Sequence, residues 1–288
     1  MHQFHDALVS FAERREISMK ATVLADNIPQ GELRGEWGLS IYIEYQGRNI
    51  LLDTGASDLF LRNAGKLGKD IAKADYAVLS HAHYDHADGM RAFFEHNDKT
   101  KFYLRKGCGE NCYGKKWIFR KYIGIPKGIL EARSDRIVMV EGDYQLCPGV
   151  TLVPHKTAGL EQLGRKNHMY VRTKSGWRAD DFAHEQSLVF ETEEGLVIFN
   201  SCSHGGADNI IEEIKQTYPG KTIRALIGGF HIFGRTDEEV HELAHRIKDT
   251  GVQEIYTGHC TGERAYHVLQ EELGDMVHQL RVGLVIEM

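Results

Sequence analysis

Three histidines and an aspartate lie within six consecutive residues of this chain, directly after an apolar run. The cluster is His81, His83, Asp85 and His86, and the run at residues 77–79 is predicted as a buried strand. In an extended segment the side chains of His81, His83 and Asp85 fall on one side, and a turn at Asp85 brings His86 toward the same point. Imidazole nitrogen and carboxylate oxygen are ligands for Zn, Fe(II) or Mn. The cluster therefore predicts a metal site at the end of a strand.

Three further polar stretches follow segments that are rich in β-forming residues. They are Asn-Ser-Cys-Ser-His at 200–204, Gly-Gly-Phe-His at 228–231 and Thr-Gly-His-Cys-Thr-Gly at 257–262. The apolar residues before each stretch predict a strand, and the polar residues then mark its end. We therefore expect all three stretches to face the same cleft as the cluster at 81–86.

The motif His-x-His-x-Asp-His after a strand resembles the signature of the metallo-β-lactamase superfamily. Residues 49–55, Asn-Ile-Leu-Leu-Asp-Thr-Gly, are similar to that superfamily's strand ending in an Asp-Thr-Gly turn. Residues 36–40, 201–204 and 257–262 have close counterparts in one branch of that superfamily. The chain therefore resembles the branch named for 7,8-dihydropterin-6-methyl-4-(β-D-ribofuranosyl)-aminobenzene-5′-phosphate synthase. Trp37 departs from the histidine expected at its position in that branch.

The resemblance implies a pair of divalent metal ions, with zinc favoured and iron or manganese as alternatives. One ion takes His81, His83 and a third histidine from the second half of the chain, and the other takes Asp85, His86 and the final histidine, for which His259 is the candidate. All of these are neutral imidazole or carboxylate ligands, which suit such ions.

Two positions in this ligand set have alternatives. For the third histidine we prefer His204, which lies two residues past Cys202 and so on the same side of an extended segment. His184, just before a predicted strand, is the alternative. Cys202 stands where a bridging aspartate usually sits, and a thiolate can bind Zn or Fe directly. The other interpretation of Cys202 is a small buried residue.

Asp53 and His231 are candidates for supporting roles. Asp53 is expected to accept a hydrogen bond from a ligand imidazole and so to fix the tautomer of that ring. His231 is the candidate to contact substrate or to donate a proton to a leaving group, or else it is a core histidine. With two ions about 3.5 to 4 Å apart, the predicted mechanism is attack of a metal-bound hydroxide on an electrophilic phosphorus or carbonyl. Asp85 would orient that water, so Asp85 and His231 are the predicted catalytic residues.

The composition favours an enzyme that stays in the cytoplasm. The 288 residues carry a formal net charge of −6, which gives no general attraction to nucleic acid or to anionic lipid. No apolar stretch approaches the roughly eighteen residues of a membrane span, and residues 1–20 lack the apolar centre of a signal peptide. The five cysteines are an odd number in a long chain, which predicts reduced thiols rather than a disulfide framework.

Two halves of similar pattern predict the fold. Residues 19–94 are predicted as three strands, a helix, a strand and a helix, and residues 187–288 as a hairpin followed by alternating helices and strands. This pattern implies an α/β protein, an αββα sandwich of two sheets with helices on both outer faces, which the resemblance also implies. We expect a single metallo-β-lactamase-like domain over residues 19–288. Residues 1–18 are expected as an N-terminal extension, with helical spacing, that either packs on the domain or forms a homodimer contact.

Residues 103–183 separate the two halves and are the predicted substrate cap. Part of this insertion is basic and aromatic, with Arg105, Lys106, Lys115, Lys116, Arg120 and Lys121 beside Trp117, Phe119 and Tyr122. Such a cap suits a phosphate and a planar ring, although a solvated surface loop has the same composition. The predicted function is therefore that of a metal-dependent hydrolase, with zinc as the favoured metal, or of a hydrolase-like synthase. The predicted activity is that of a phosphoesterase on a phosphorylated or phosphodiester small molecule.

Other functions would use the same ligands. A diiron redox protein would reduce dioxygen or nitric oxide at this cluster, but such chains add carboxylate ligands and a flavin domain, for which this sequence has neither length nor motif. A hydrolase of a lactone or thioester, or a binder without catalysis, would be built on the same scaffold.

Overall fold

A computed structural model describes residues 19–288, so the extension predicted for residues 1–18 lies outside the described residues. The strands are β1 (Met19–Ala25), β2 (Ser40–Tyr45), β3 (Arg48–Leu52), β4 (Tyr76–Val78), β5 (Phe102–Arg105), β6 (Cys112–Lys116), β7 (Phe119–Tyr122), β8 (Ile137–Val140), β9 (Tyr144–Cys147), β10 (Val150–Pro154), β11 (Met169–Thr173), β12 (Gly176–Ala179), β13 (Gln186–Thr192), β14 (Gly195–Phe199), β15 (Ile223–Gly228), β16 (Glu254–Thr257), β17 (Val277–Gln279) and β18 (Val285–Glu287). The α-helices are α1 (Leu59–Lys66), α2 (Tyr84–Ala87), α3 (Met90–His96), α4 (Ile129–Ala132), α5 (Glu161–Lys166), α6 (Ala207–Thr217), α7 (Asp237–Asp249) and α8 (Glu263–Leu273). Short 3₁₀ turns lie at Ile71–Lys73, His259–Thr261 and Gly274–Met276.

Two mixed sheets of seven strands form the centre of the described part of the chain. The first has the order β18-β1-β2-β3-β4-β5-β8, and the second has the order β17-β16-β15-β14-β13-β10-β9. In the first sheet β3, β4, β5 and β8 run parallel, and in the second β14 to β17 run parallel. The polar stretches at 81–86, 200–204, 228–231 and 257–262 all lie at the carboxyl ends of these parallel strands. Ligands commonly bind at this edge of such sheets.

Alternation along the strands builds the core between the two sheets. In β2, Ile41 and Ile43 belong to the core between the sheets, while Tyr42 between them belongs to the core under the helices. In β14, Val197 faces the partner sheet and Ile198 faces the helices on the other side. A strand that is buried on both faces gives nearly continuous apolar sequence, as these strands have.

Helices cover the outer face of each sheet. Phe60 of α1 and Phe93 of α3 pack on the first sheet, and apolar residues of α6, α7 and α8 pack on the second. Helix α7 begins at a capping box in which Thr236 accepts from the Glu239 N–H and Glu239 accepts from the Thr236 N–H. The predicted αββα sandwich is confirmed. No helix of residues 19–288 is long and apolar enough to cross a membrane.

Residues 103–183 also form a third, antiparallel sheet with the order β12-β11-β6-β7. Other strands of the same region join the central sheets: β8 lies at the edge of the first, and β9 and β10 lie at the edge of the second. The sequence pattern did not predict β6, β7, β11 and β12. Their side chains are mostly exposed or half-buried, so the apolar alternation that marks a half-buried strand is missing.

Candidate metal centre

The cluster at residues 81–86 follows β4, but its backbone is not extended throughout. His83 has extended dihedral angles (φ −107°, ψ 150°), and α2 begins at Tyr84. The chain bends at residues 80–82 and a helical turn carries Asp85 and His86, so the extended segment predicted for residues 81–85 does not form. The turn keeps the side chains together, since the His86 ring lies 4.2 Å from the His81 ring, between centroids.

His81, His83 and His204 form one group of nitrogen donors. A ring nitrogen of each lies within 4.8 Å of those of the other two, and all three side chains are buried. The Nε2 atom of each has no hydrogen-bond partner. A buried polar atom without a partner is costly. Three such atoms that converge fit a cation bound between them.

Asp85, His86 and His259 form a second group beside the first. His86 Nε2 lies 3.1 Å from His259 Nε2, and Asp85 Oδ2 lies 3.5 Å from His259 Nε2. Cys202 Sγ lies 3.2 Å from His86 Nε2 and within 4.8 Å of candidate nitrogens of both groups. Cys202 is thus placed between the two groups.

Four of the five candidate histidines are held by a hydrogen bond at Nδ1. The pairs are His81 with Ser80 Oγ (2.8 Å), His86 with Asp53 Oδ2 (2.8 Å), His204 with Glu185 Oε2, and His259 with Asn27 Oδ1 (3.1 Å). Carboxylate and amide oxygens only accept, and Ser80 Oγ already donates to Asp53 (2.6 Å), so each ring donates from Nδ1. The Nε2 lone pair is therefore left for a metal ion.

The contact between His86 and His259 gives a second indication of a cation. Both rings donate from Nδ1, so in their neutral forms the two Nε2 atoms face each other without a proton between them. Burial lowers the pKa of His259, but the neighbouring Cys260 and Asp85 raise it to about 9. The local potential therefore favours positive charge at this point.

The ionisation states of the other groups suit metal binding. Burial and the adjacent imidazoles lower the pKa of His81 well below its usual value, and burial does the same for His83. Both rings are therefore neutral near pH 7, as metal ligands must be. Burial alone would raise the pKa of Asp85, but the neighbouring imidazoles, His259 first and then His86, lower it. Asp85 is therefore an ionised carboxylate.

The two candidates for the third histidine have different surroundings. His204 presents a partnerless Nε2 toward His81 and His83, as described above. His184 also lies near His83, in a buried group with Cys112 and Asp180. Its Nδ1, however, accepts from the Ala82 N–H (3.2 Å), and its Nε2 pairs with Asp180 Oδ2 (3.1 Å). Both nitrogens of His184 are thus engaged by the protein.

Left-handed backbone occurs at four residues of this centre. Asp53, Ser203, His231 and His259 have φ between 47° and 58°. Because Ser203 is left-handed, residues 202–204 are not the extended segment that the sequence predicts. Such conformations are unfavourable for side-chain-bearing residues and collect at functional sites.

A cavity of about 310 Å³ opens above the two groups. Its lining residues include four candidate site residues, Asp85, Cys202, His204 and His231, and the aromatic and basic residues Trp37, Phe233, Lys115, Lys116 and Lys121. His231 Nδ1 has no hydrogen-bond partner, so it is free to meet a molecule in the cavity. The cavity therefore gives the candidate metal centre access to a small molecule.

The basic and aromatic residues predicted for the cap divide into two sets. Lys115, Lys116 and Lys121 line the cavity. The others do not: Arg105 is buried against the Gly142 carbonyl, Lys106 pairs with Glu141, Arg120 stacks on Trp177, Tyr122 donates to the Ile125 carbonyl, and Trp117 and Phe119 are exposed.

Several residues of this centre were not predicted. Trp37 Nε1 donates to Asp85 Oδ2 (3.0 Å), and Ser80, Glu185 and Asn27 hold candidate ligands. Ser80 and Glu185 each stand next to a histidine at an end of a predicted strand, which is the signal that could have found them. Asn27 lies far from any motif, and no local signal marks it.

Glu185 belongs to a buried chain of charged side chains. His155 Nε2 lies 3.0 Å from Glu185 Oε1, and His155 Nδ1 lies 3.0 Å from Glu213 Oε2. Burial lowers the pKa of His155, but hydrogen bonds to the two carboxylates raise it to about 10. His155 is therefore a buried cation that holds Glu185 in place beside His204.

Known proteins are similar to this chain over most of its length. Residues 37–163 match the family model of the metallo-beta-lactamase superfamily. An uncharacterized protein of Methanocaldococcus jannaschii is 28% identical over 268 residues, which are 92% of this chain and 98% of the relative. The 7,8-dihydropterin-6-methyl-4-(beta-D-ribofuranosyl)-aminobenzene-5′-phosphate synthase of the same organism is 26% identical over 262 residues, 87% of this chain and 89% of the relative. The crystal structure of a metal-dependent hydrolase of the beta-lactamase superfamily is 29% identical, with a TM-score of 0.79 over 94% of this chain and 99% of that one.

Proposed function

We propose that this chain is a metal-dependent hydrolase of the metallo-beta-lactamase superfamily and that it acts on a phosphorylated or phosphodiester small molecule. The observation that carries this proposal is the grouping of His81, His83 and His204, each with a partnerless Nε2, next to a cavity that His83, His204 and three lysines line. The superfamily binds divalent metal ions, and these donors fit such ions.

We assign the ligands of two divalent ions to the two groups. The first ion would be held by His81, His83 and His204, and the second would be held by Asp85, His86 and His259, with Cys202 between them. Zinc is favoured, and iron and manganese are the alternatives. Metal ions bound there would supply Lewis acidity and would lower the pKa of a coordinated water. His204 is assigned in preference to His184 because both nitrogens of His184 are engaged elsewhere.

Asp85 and His231 are assigned the proton-handling steps. Asp85 is ionised, and one of its oxygens accepts from the Trp37 indole, so the carboxylate keeps a fixed orientation. It can then accept a hydrogen bond from the attacking water. His231 faces the cavity with an unpartnered Nδ1, from which it can donate a proton to the leaving group.

The third sheet is assigned the role of the substrate cap of a single domain that spans residues 19–288. Lys115, Lys116 and Lys121 place positive charge along the cavity wall, which suits a phosphate group. Trp37 and Phe233, which lie edge to face with ring centroids 5.7 Å apart, also line the cavity and offer an apolar surface to a planar ring. The cavity therefore favours a phosphorylated ring compound over a lactone or thioester.

Metal content and chelation test this function together. Elemental analysis of freshly purified protein is expected to give about two equivalents of Zn, Fe or Mn. The same protein should hydrolyse bis(p-nitrophenyl) phosphate, and a chelator should abolish that hydrolysis. The variant His204→Ala should lose metal, whereas His267→Ala, at an exposed position on α8, should keep it.

Two results would contradict the proposal. If the purified protein contains no metal and shows no turnover after metal is added, the remaining function is that of a binding protein without catalysis. Two equivalents of iron, a reducible optical spectrum and no phosphodiester hydrolysis would favour the diiron redox alternative.

A further inference from the structure

We infer that Cys260 is a further metal ligand and that, with Cys202, it gives the second metal site two thiolates. The ligand set assigned above contains Cys202 alone, so this inference extends the proposed function and rests on its metal site. It concerns the kind of ion that the site selects.

The two thiols lie side by side within reach of one ion. Cys260 Sγ lies 3.3 Å from Cys202 Sγ, and both residues are buried and free of disulfide. The candidate ligand atoms of Cys202, His259 and Cys260 all lie within 4.8 Å of one another. Zinc–sulfur bonds of about 2.3 Å separate two thiolates on one ion by about 3.3 to 3.8 Å when the angle between the bonds is about 90° to 109°, and the separation seen here lies at the lower end of that range.

The local backbone holds the Cys260 thiol in this position. Cys260 follows His259 in the same 3₁₀ turn after β16, so one turn supplies both side chains. The His231 N–H donates to Cys260 Sγ at 3.2 Å. A hydrogen bond of this kind supports a sulfur that carries negative charge, as a metal-bound thiolate does.

Gly229 leaves the space that the thiol needs. A Cβ atom at residue 229 would lie 2.5 Å from Cys260 Sγ, which is too close for any side chain. The Gly-Gly-Phe-His turn thus has two contacts with Cys260: a backbone donor at His231 and an open space at Gly229. A small buried residue that only filled space would need neither the hydrogen bond from the His231 N–H nor a second thiol in contact with it.

Two thiolates change the metal preference of the site. Sulfur is a soft ligand that favours Zn, Fe(II), Co(II) and Cd over Mn or Mg. The second site is therefore expected to bind a thiophilic ion, and manganese is expected to compete poorly there.

Cobalt substitution tests the ligation directly. Co(II) bound to thiolates absorbs in the near ultraviolet by charge transfer from sulfur, and the intensity rises with the number of thiolates. We expect Cys260→Ser and Cys202→Ser each to lose about half of this absorption, and the double variant to lose all of it. Cys147→Ser is the matched control, since Cys147 is a buried free thiol in the core between the sheets, and its spectrum should equal that of the unmodified chain. An unchanged spectrum for Cys260→Ser would overturn the inference.

Cadmium NMR of the unmodified chain decides the question if the Cys260 variants do not fold. Each thiolate moves the cadmium resonance downfield, so one resonance at the position of a two-thiolate site supports the inference. Resonances only at positions of sites with one thiolate or none would refute it.

These measurements report ligation and not turnover, so they separate the two proposals. A chain that shows two thiolates but does not hydrolyse phosphoesters would contradict the proposed function alone. A chain that hydrolyses them with a cobalt spectrum independent of Cys260 would contradict this inference alone.

Discussion

Asp53 accepts hydrogen bonds from two neighbours and through them orients two histidines. Its Oδ2 accepts from His86 Nδ1 and from Ser80 Oγ, and Ser80 in turn accepts from His81 Nδ1. The Ser80 N–H donates to Asp53 Oδ1 as well, at 2.7 Å. One buried carboxylate therefore sets the tautomers of one candidate ligand from each of the two groups, which is how outer partners tune a metal site.

Replacement of Asp85 should reduce turnover much more than it reduces metal binding. In Asp85→Asn the amide oxygen can still contact a metal ion, but the side chain can no longer accept a proton. We expect phosphodiester turnover to fall by about 100-fold or more, with a smaller loss of bound metal. Steady-state kinetics and elemental analysis of the same preparation check this. Asp58→Asn, at an exposed residue paired with Arg62, is the control, and retained activity in Asp85→Asn would contradict its assigned role.

The third sheet joins the cavity through the hairpin of β6 and β7. Lys115 and Lys116 lie at the end of β6 and Lys121 lies on β7, so one two-stranded unit supplies all three lysines of the cavity wall. The hairpin also packs beside β11, with Met169 paired to Gly114. A change in the position of this sheet would therefore change the charge above the metal centre.

Removal of one lysine of this wall should weaken substrate binding more than turnover. Lys121→Ala is expected to raise the KM for a phosphodiester by about 3- to 10-fold, with kcat nearly unchanged, because a charge-assisted contact to phosphate is lost. Lys106→Ala is the control, since its amine pairs with Glu141 away from the cavity. Equal KM values for the two variants would argue against a phosphate site on this wall.

The buried chain from Glu213 through His155 to Glu185 connects α6 with the strands β10 and β13. The pKa of His155 is raised to about 10, against about 6.5 for an unfolded chain. Its stabilising contribution is therefore fully present below about pH 6.5 and is lost as the pH rises through about 10. This chain should make the native state less stable in alkaline solution.

Replacement of His155 tests that dependence. His155→Gln should lower the free energy of unfolding near pH 7 by about 3 to 5 kcal/mol, because two buried carboxylates lose their cation. The variant should also show a smaller fall in stability between pH 7 and pH 10 than the unmodified chain. Chemical denaturation at both pH values measures this, with His245→Gln at an exposed position as control. Parallel pH profiles of the two proteins would count against a charged His155.

The candidate metal centre lies where the two halves of the molecule meet. His81, His83, Asp85 and His86 follow a strand of the first sheet, whereas His204 and His259 follow strands of the second. Ions bound by both sets would tie the two sheets together at their carboxyl edge. Metal binding and the stability of the whole domain should therefore be linked.

Removal of metal should lower the thermal stability of the entire domain. A ligand present at about 100 times its Kd stabilises the native state by about 2.7 kcal/mol, so chelation should lower the melting temperature by several degrees. Calorimetry before and after treatment with a chelator measures the change, and a chelator already saturated with calcium is the control. The same melting temperature in all three samples would contradict a structural link.

Much of the fold could be predicted from the sequence, because its causes are local. Helices α6, α7 and α8 alternate with strands as predicted for residues 187–288, since their apolar positions repeat at helical spacing and their ends carry capping or glycine signals. The hairpin of β2 and β3 and the parallel strands before the polar stretches follow from equally local patterns. The sandwich then follows from how such elements bury their apolar faces.

Local sequence patterns were enough to show which side chains stand at the ends of the strands, and hence that nitrogen, carboxylate and sulfur donors were available there. The pairing of these donors emerged only from the folded chain: His204 has a free Nε2 while both nitrogens of His184 are engaged, the other rings have Nδ1 partners, and Trp37 contacts Asp85. The same holds for the contact of Cys260 with Cys202 and for the exposed strands of the third sheet. Spacing along a chain fixes neighbours only within one element, whereas contacts between distant residues depend on how the two sheets pack.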